Sequence, residues 1–86
     1  MIAACETAPP VQEMSDARQA IAVAREAGAE KSAAAELRAA EAYLASAQRK
    51  LSQRAYAQAR RDALEAKNKA IHALNVADRS QDKTPD

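Results

Sequence analysis

Between residues 11 and 84 this chain contains one glycine, Gly28, and no proline, and that scarcity of helix breakers limits its fold more than any other feature. Alanine, which dominates the composition, has the highest intrinsic helix propensity, whereas glycine costs about 1 kcal/mol and proline about 3 in a helix interior. β-Branched or aromatic runs with period two are absent. An all-α fold follows.

The core of such a fold is thin. The 86 residues make one domain at most, and chains this short are marginally stable alone. Hydrophobic residues amount to 48%, but most are alanine; there is no Phe or Trp, and the aromatics are Tyr43 and Tyr56. The large aliphatic residues are Val11, Met14, Ile21, Val23, Leu37, Leu44, Leu51, Leu64, Ile71, Leu74 and Val76. Full burial of a leucine contributes about 1.5–3 kcal/mol and that of an alanine much less. Stability must come from close helix approach or from burial against a partner.

Apolar spacing predicts three helices, near residues 10–27, 33–53 and 55–78, packed as an antiparallel three-helix bundle. In the first, Pro10 suits the opening turn. Val11, Met14, Ala17 or Arg18, Ile21 and Ala24 then follow three-four spacing. Gly28 fits as its stop, and Ser32 as the N-cap of the next helix. The second carries a heptad seam of Leu37, Ala40, Leu44, Ala47 and Leu51, with Tyr43 at its rim. In the third, Tyr56, Ala59, Ala63, Ala66, Ala70 and Ala77 keep the spacing, Leu64, Ile71 and Leu74 widen the face, and Glu65 with Lys69 is a favourable pair. No Gly or Pro marks a turn at Ser52–Ala55, but the apolar phase slips there by two residues. The alternative is one helix plus one long helix over 33–78 in a coiled-coil oligomer. A disordered polar tail is expected over 80–86.

Net charge is +1, with an uneven distribution. From Arg49 to Ala70 there are seven bases (Arg49, Lys50, Arg54, Arg60, Arg61, Lys67, Lys69) and two acids. That stretch is either a solvated or internally paired face or a patch for an anionic partner such as lipid headgroups or a cell-wall polymer. Nucleic acid is not an expected partner, because base-stacking groups are missing beside these charges.

The sole cysteine stands in the segment Ile2-Ala3-Ala4-Cys5-Glu6-Thr7-Ala8-Pro9-Pro10, so no internal disulfide can form. Ile2-Ala3-Ala4-Cys5 resembles the lipobox of bacterial lipoproteins, in which two small residues precede a cysteine that receives diacylglycerol. The resemblance implies lipidation of Cys5 after the end of a signal, with residues up to 9 as a tether. Only Met1–Ala4 precede Cys5, where such a signal carries an apolar region of roughly 7–15 residues. With Met1 as the true start, the expectation is instead a soluble cytoplasmic adaptor or self-associating coiled coil.

The stretch Ala34-Ala35-Glu36-Leu37-Arg38-Ala39-Ala40-Glu41, then Leu44, Ala47 and Leu51, then Arg54 through Ala63, resembles the bacterial envelope family known as domain-of-unknown-function family 4398. The resemblance covers about residues 11–78 and implies helical hairpins in short periplasmic lipoproteins, with no known activity. Two positions depart from the family pattern: Arg54-Ala55 stands where Gly-Asp is usual, and Ala34 where proline often opens a helix. Longer members owe wall binding to a separate domain, so that activity is not implied here. The Leu-turn-Tyr piece also resembles one tetratricopeptide helix pair, but one unit is too few for a solenoid.

No enzyme is expected. His72 is the lone histidine and has no Cys or acidic residue three or four positions away, so metal-ligand spacing is missing. No glycine-rich loop stands ready for phosphate, and no cofactor is expected. The reading is a lipid-anchored outer-membrane protein on the periplasmic side, acting as a helical spacer or docking module. Its partners would be the membrane through Cys5, an envelope or cell-wall component, or a second copy.

Overall fold

The computed structural model describes residues 8–82 of the protein, without the side chains of 81 and 82. The described residues form four helices: α1 (Val11–Glu26), α2 (Ala29–Ser32), α3 (Ala34–Ser52) and α4 (Tyr56–Asp82). α4, roughly 40 Å long at 1.5 Å per residue, packs along both α1 and α3, which touch each other less. Ser46 pairs with Asp62 while Leu37 clusters with Ala73 and Ala77, so α3 runs antiparallel to α4. Glu13 pairs with Arg60 while Ile21 clusters with Ala70, so α1 runs parallel to α4. The result is the expected three-helix bundle, with α2 as one added turn in the first connection.

The fully buried residues of α4 are all alanine, with Leu74 and Val76 packed partly buried at their margin. Ala59, Ala63, Ala66, Ala70, Ala73 and Ala77 are each 0% exposed and follow alternating four- and three-residue steps. Ala73 completes a seam that sequence spacing left open between Ala70 and Ala77. Without branches on this seam, α1 and α3 approach closely and supply the larger groups: Met14, Ile21 and Leu37, all buried. Leu44 joins the two halves of the core, packing against both the Ile21–Leu37 cluster and the Met14–Ala47–Ala63 cluster.

Several expectations need correction. Leu74 widens the buried face as expected, but Leu64 and Ile71 do not; they are 44% and 40% exposed. Each follows a seam alanine by one residue, which is about 100° around the helix, and that direction opens toward solvent beside α1. Val11 is 68% exposed, because Pro10 fills the buried place at that end. Glu65 and Lys69 form no ion pair within 4 Å among the described residues. Ser32 does not cap α3. It ends α2, and its hydroxyl donates back to the Gly28 carbonyl at 3.2 Å. Ala33 holds the cap position with no side-chain bond. The added turn buries Ala29 and Ala33, four residues apart, and leaves Ser32 outside.

Both turns use a left-handed residue. Gly28 has φ 90° and donates its N–H to the Arg25 carbonyl at 2.9 Å. At the second turn Arg54 takes φ 64°. Its N–H donates to Leu51 at 3.0 Å, and the Ala55 N–H to Lys50 at 2.9 Å. This is the Schellman arrangement, which satisfies the last carbonyls of a helix. A glycine adopts the left-handed conformation freely, whereas a side chain costs roughly 1–2 kcal/mol there. The bonds and the alanine packing on either side carry that cost, so the turn forms without glycine. α4 continues past Asp78 to Asp82, since no breaker stands before Pro85.

Candidate functional site

Bundle topology sorts the charges by end. α3 finishes where α1 and α4 begin, so this end gathers Arg49, Lys50, Arg54, Arg60 and Arg61 against Glu13 and Asp62. The opposite end, over residues 25–38 and 72–80, carries Arg25, Lys31, Arg38 and Arg79 against Glu26, Glu30, Glu36 and Asp78, a balanced set. Lys67 and Lys69 do not join the basic end. Lys67 lies along the α1–α4 groove with Asp16, Val23, Ile71 and Leu74, and Lys69 is two residues on, about 200° around the helix. The candidate patch of seven bases therefore resolves into five at the tip and two separate lysines.

Within the tip, both acids are engaged. Arg60 donates from Nε to Glu13 at 3.3 Å and from Nη2 to the Ala8 carbonyl at 3.3 Å, fastening the start of α1 to α4. Lys50 Nζ lies 3.1 Å from Asp62 Oδ2, and the Ser46 hydroxyl donates to the same oxygen at 2.6 Å. Arg49, Arg54 and Arg61 are exposed and form no ion pair within 4 Å among the described residues. Elsewhere, Arg25 pairs with Glu30 and Glu41, linking α1 to α2 and α3.

The Asp62 carboxyl is held below the usual carboxylate range, chiefly by the Ser46 hydroxyl; partial burial opposes this, and Lys50 and Arg61 assist. The sign of the linkage follows. A lowered native pKa contributes stability that is present above the ordinary aspartate value near 3.9 and is lost as pH falls through the native value. Ser46→Ala will raise the Asp62 titration midpoint and cost about 1 kcal/mol at neutral pH. That deficit will shrink as the medium is acidified below about pH 4. Carboxyl NMR titration with denaturant melts reads both, and an unmoved midpoint would reject the hydroxyl as the main cause.

Cys5 lies outside the described residues. His72 is exposed on α4. Among the described residues, no group of three or more His, Cys, Asp or Glu side chains could hold a metal ion, and no helix is long and apolar enough to cross a membrane. Sequence spacing missed two features of the tip: the bond from Arg60 to Ala8 and the exposure of Val11. Both depend on the register between α1 and α4, which no local pattern encodes. A family model described as Domain of unknown function (DUF4398) matches residues 12–84. No curated protein and no solved structure gives a significant match.

Proposed function

The chain belongs to the DUF4398 family, and from that premise we propose that it is a non-enzymatic bacterial envelope protein, held to the outer membrane by lipid on Cys5 and presenting its helices as a spacer or docking module. The observation that carries the reading is the setting of the sole cysteine. It follows Ile2-Ala3-Ala4 and stands five residues before Pro10, the N-cap of α1. Small residues before the cysteine suit a peptidase that must fit the chain closely beside the reactive bond. The bundle supports the reading by its economy: with alanine as the main core residue, its surfaces are mostly polar helix faces suited to presenting contacts. No helix among the described residues offers a membrane span, so the acyl chains would supply membrane affinity at about 0.8 kcal/mol per buried methylene.

The test is metabolic labelling with a fatty-acid analogue in a bacterial host, using the gene with its natural upstream sequence. Label and detergent-phase partition will follow the wild-type protein and disappear in Cys5→Ala. Equal partition of the two forms would remove the anchor and favour the soluble adaptor.

A further inference from the structure

We infer that the bundle end formed by the α3–α4 turn and the start of α1 seats on anionic lipid headgroups, so that the protein stands on its tip at the membrane. The orientation rests on the anchored reading above; the surface chemistry stands apart from it.

The first argument is reach. Only Glu6 and Thr7 separate Cys5 from Ala8, so covalent geometry keeps Ala8 within about 10 Å of Cys5 on any path. Ala8 is fastened to Arg60 at 3.3 Å. A lipid on Cys5 therefore brings this end, and not the far one, to the surface. The Debye length is about 10 Å at 0.1 M salt, so tip charges held this close respond to the surface potential.

The second argument is charge. Glu13 and Asp62 are occupied by Arg60 and by Lys50 with Ser46, which leaves Arg49, Arg54 and Arg61 facing outward. α1 and α4 both present their N-termini here. The C-terminus of α3 also lies here and offsets one of them, and Glu13 sits in the first turn of α1, but α4 has no acid in its first turn, so its partial positive charge adds to the arginines. Arg54 sharpens the point. It holds φ 64° in a turn that glycine would make at lower cost, so what its side chain contributes is an exposed base in the turn itself. Val11, 68% exposed at the same end, offers an apolar contact to the headgroup boundary.

The experiment uses the full, unlipidated chain with phosphatidylglycerol-containing and phosphatidylcholine vesicles. The chain will partition onto the anionic vesicles near 0.01 M salt, where the Debye length is about 30 Å, and will release as salt rises. Each base near an anionic surface is worth roughly fivefold. Arg49→Gln/Arg54→Gln/Arg61→Gln will therefore lower partition on the order of 100-fold, and Lys31→Gln/Arg38→Gln/Arg79→Gln at the far end will leave it unchanged. Arg54→Gly separates binding from folding, because it will raise Tm while weakening partition about fivefold. Equal losses at the two ends, or a chain that ignores anionic vesicles and binds only a cell-wall polymer, overturns the inference. Absence of label on Cys5 would retire the anchor and leave the vesicle result intact. A labelled chain indifferent to the tip variants would do the reverse.

Discussion

Replacing Ala70 with leucine will destabilise the fold by about 2–3 kcal/mol, the upper part of the range for overpacking a closed core. Ala70 is 0% exposed and belongs to the cluster that joins Ile21 of α1 to Leu37 and Ala40 of α3. Three added carbons there must push α1 or α3 away from α4, and either shift breaks the close approach on which an alanine seam depends. In a domain of this size 1 kcal/mol corresponds to roughly 4–8 °C, so the melting temperature will fall by about 10–20 °C. Ala42→Leu is the control. It makes the same chemical change on the exposed side of α3 and will stay within about 0.5 kcal/mol of the parent. Thermal melts followed by circular dichroism decide the matter, and equal melting of the two variants would mean that the alanine row is not the packed face.

Much of this architecture is legible in sequence because alanine and the missing breakers leave few competitors. Gly28 announces the first turn through its freedom at positive φ. The second turn is announced by phase alone: Leu44 and Leu51 lie on one face, and Tyr56 and Ala59 resume two residues late. On α4 the spacing picks out the inward alanines Ala59, Ala63, Ala66, Ala70 and Ala77, and what it misjudges is how far Leu64 and Ile71 share their face. A hydrophobicity argument ranks Leu64 and Ile71 above their alanine neighbours. The packing ranks them below, since helices that approach closely need small groups between them and leave large ones at the margin. Ser32 fails for a related reason. As a cap it would contribute about 1 kcal/mol, but the added turn that buries Ala29 and Ala33 moves it out of position. The tip is the least legible part. Arg49, Arg60 and Ala8 are far apart in sequence, and they share one end only because α3 reverses the chain. A linear charge count therefore includes Lys67 and Lys69 in a patch that the bundle divides.

Two leucines test the inward face of α4 from opposite sides. Leu37 on α3 is 4% exposed against Ala70, Ala73 and Ala77, whereas Leu64 on α4 is 44% exposed. Leu37→Ala removes one of the few large side chains that reach the seam, in a core with no aromatic ring to collapse into the gap. Losses of this kind run about 2–5 kcal/mol, the larger values where the cavity stays open, and about 3 is expected here. Native domains hold only about 5–15 kcal/mol in total, and this one has a thin core, so the variant will be partly unfolded near body temperature. Leu64→Ala will cost less than about 1 kcal/mol, because most of what it removes is already in water and alanine is the better helix former. Urea titration of both variants measures the contrast. Were α4 turned by one residue, with Leu64 and Ile71 inward, the order of the two losses would reverse. Were the Leu64 face covered by a second copy, the Leu64→Ala deficit would grow with protein concentration, as binding to the native state requires. A large, concentration-independent loss at Leu37 together with a small one at Leu64 is the outcome that an alanine-faced α4 demands.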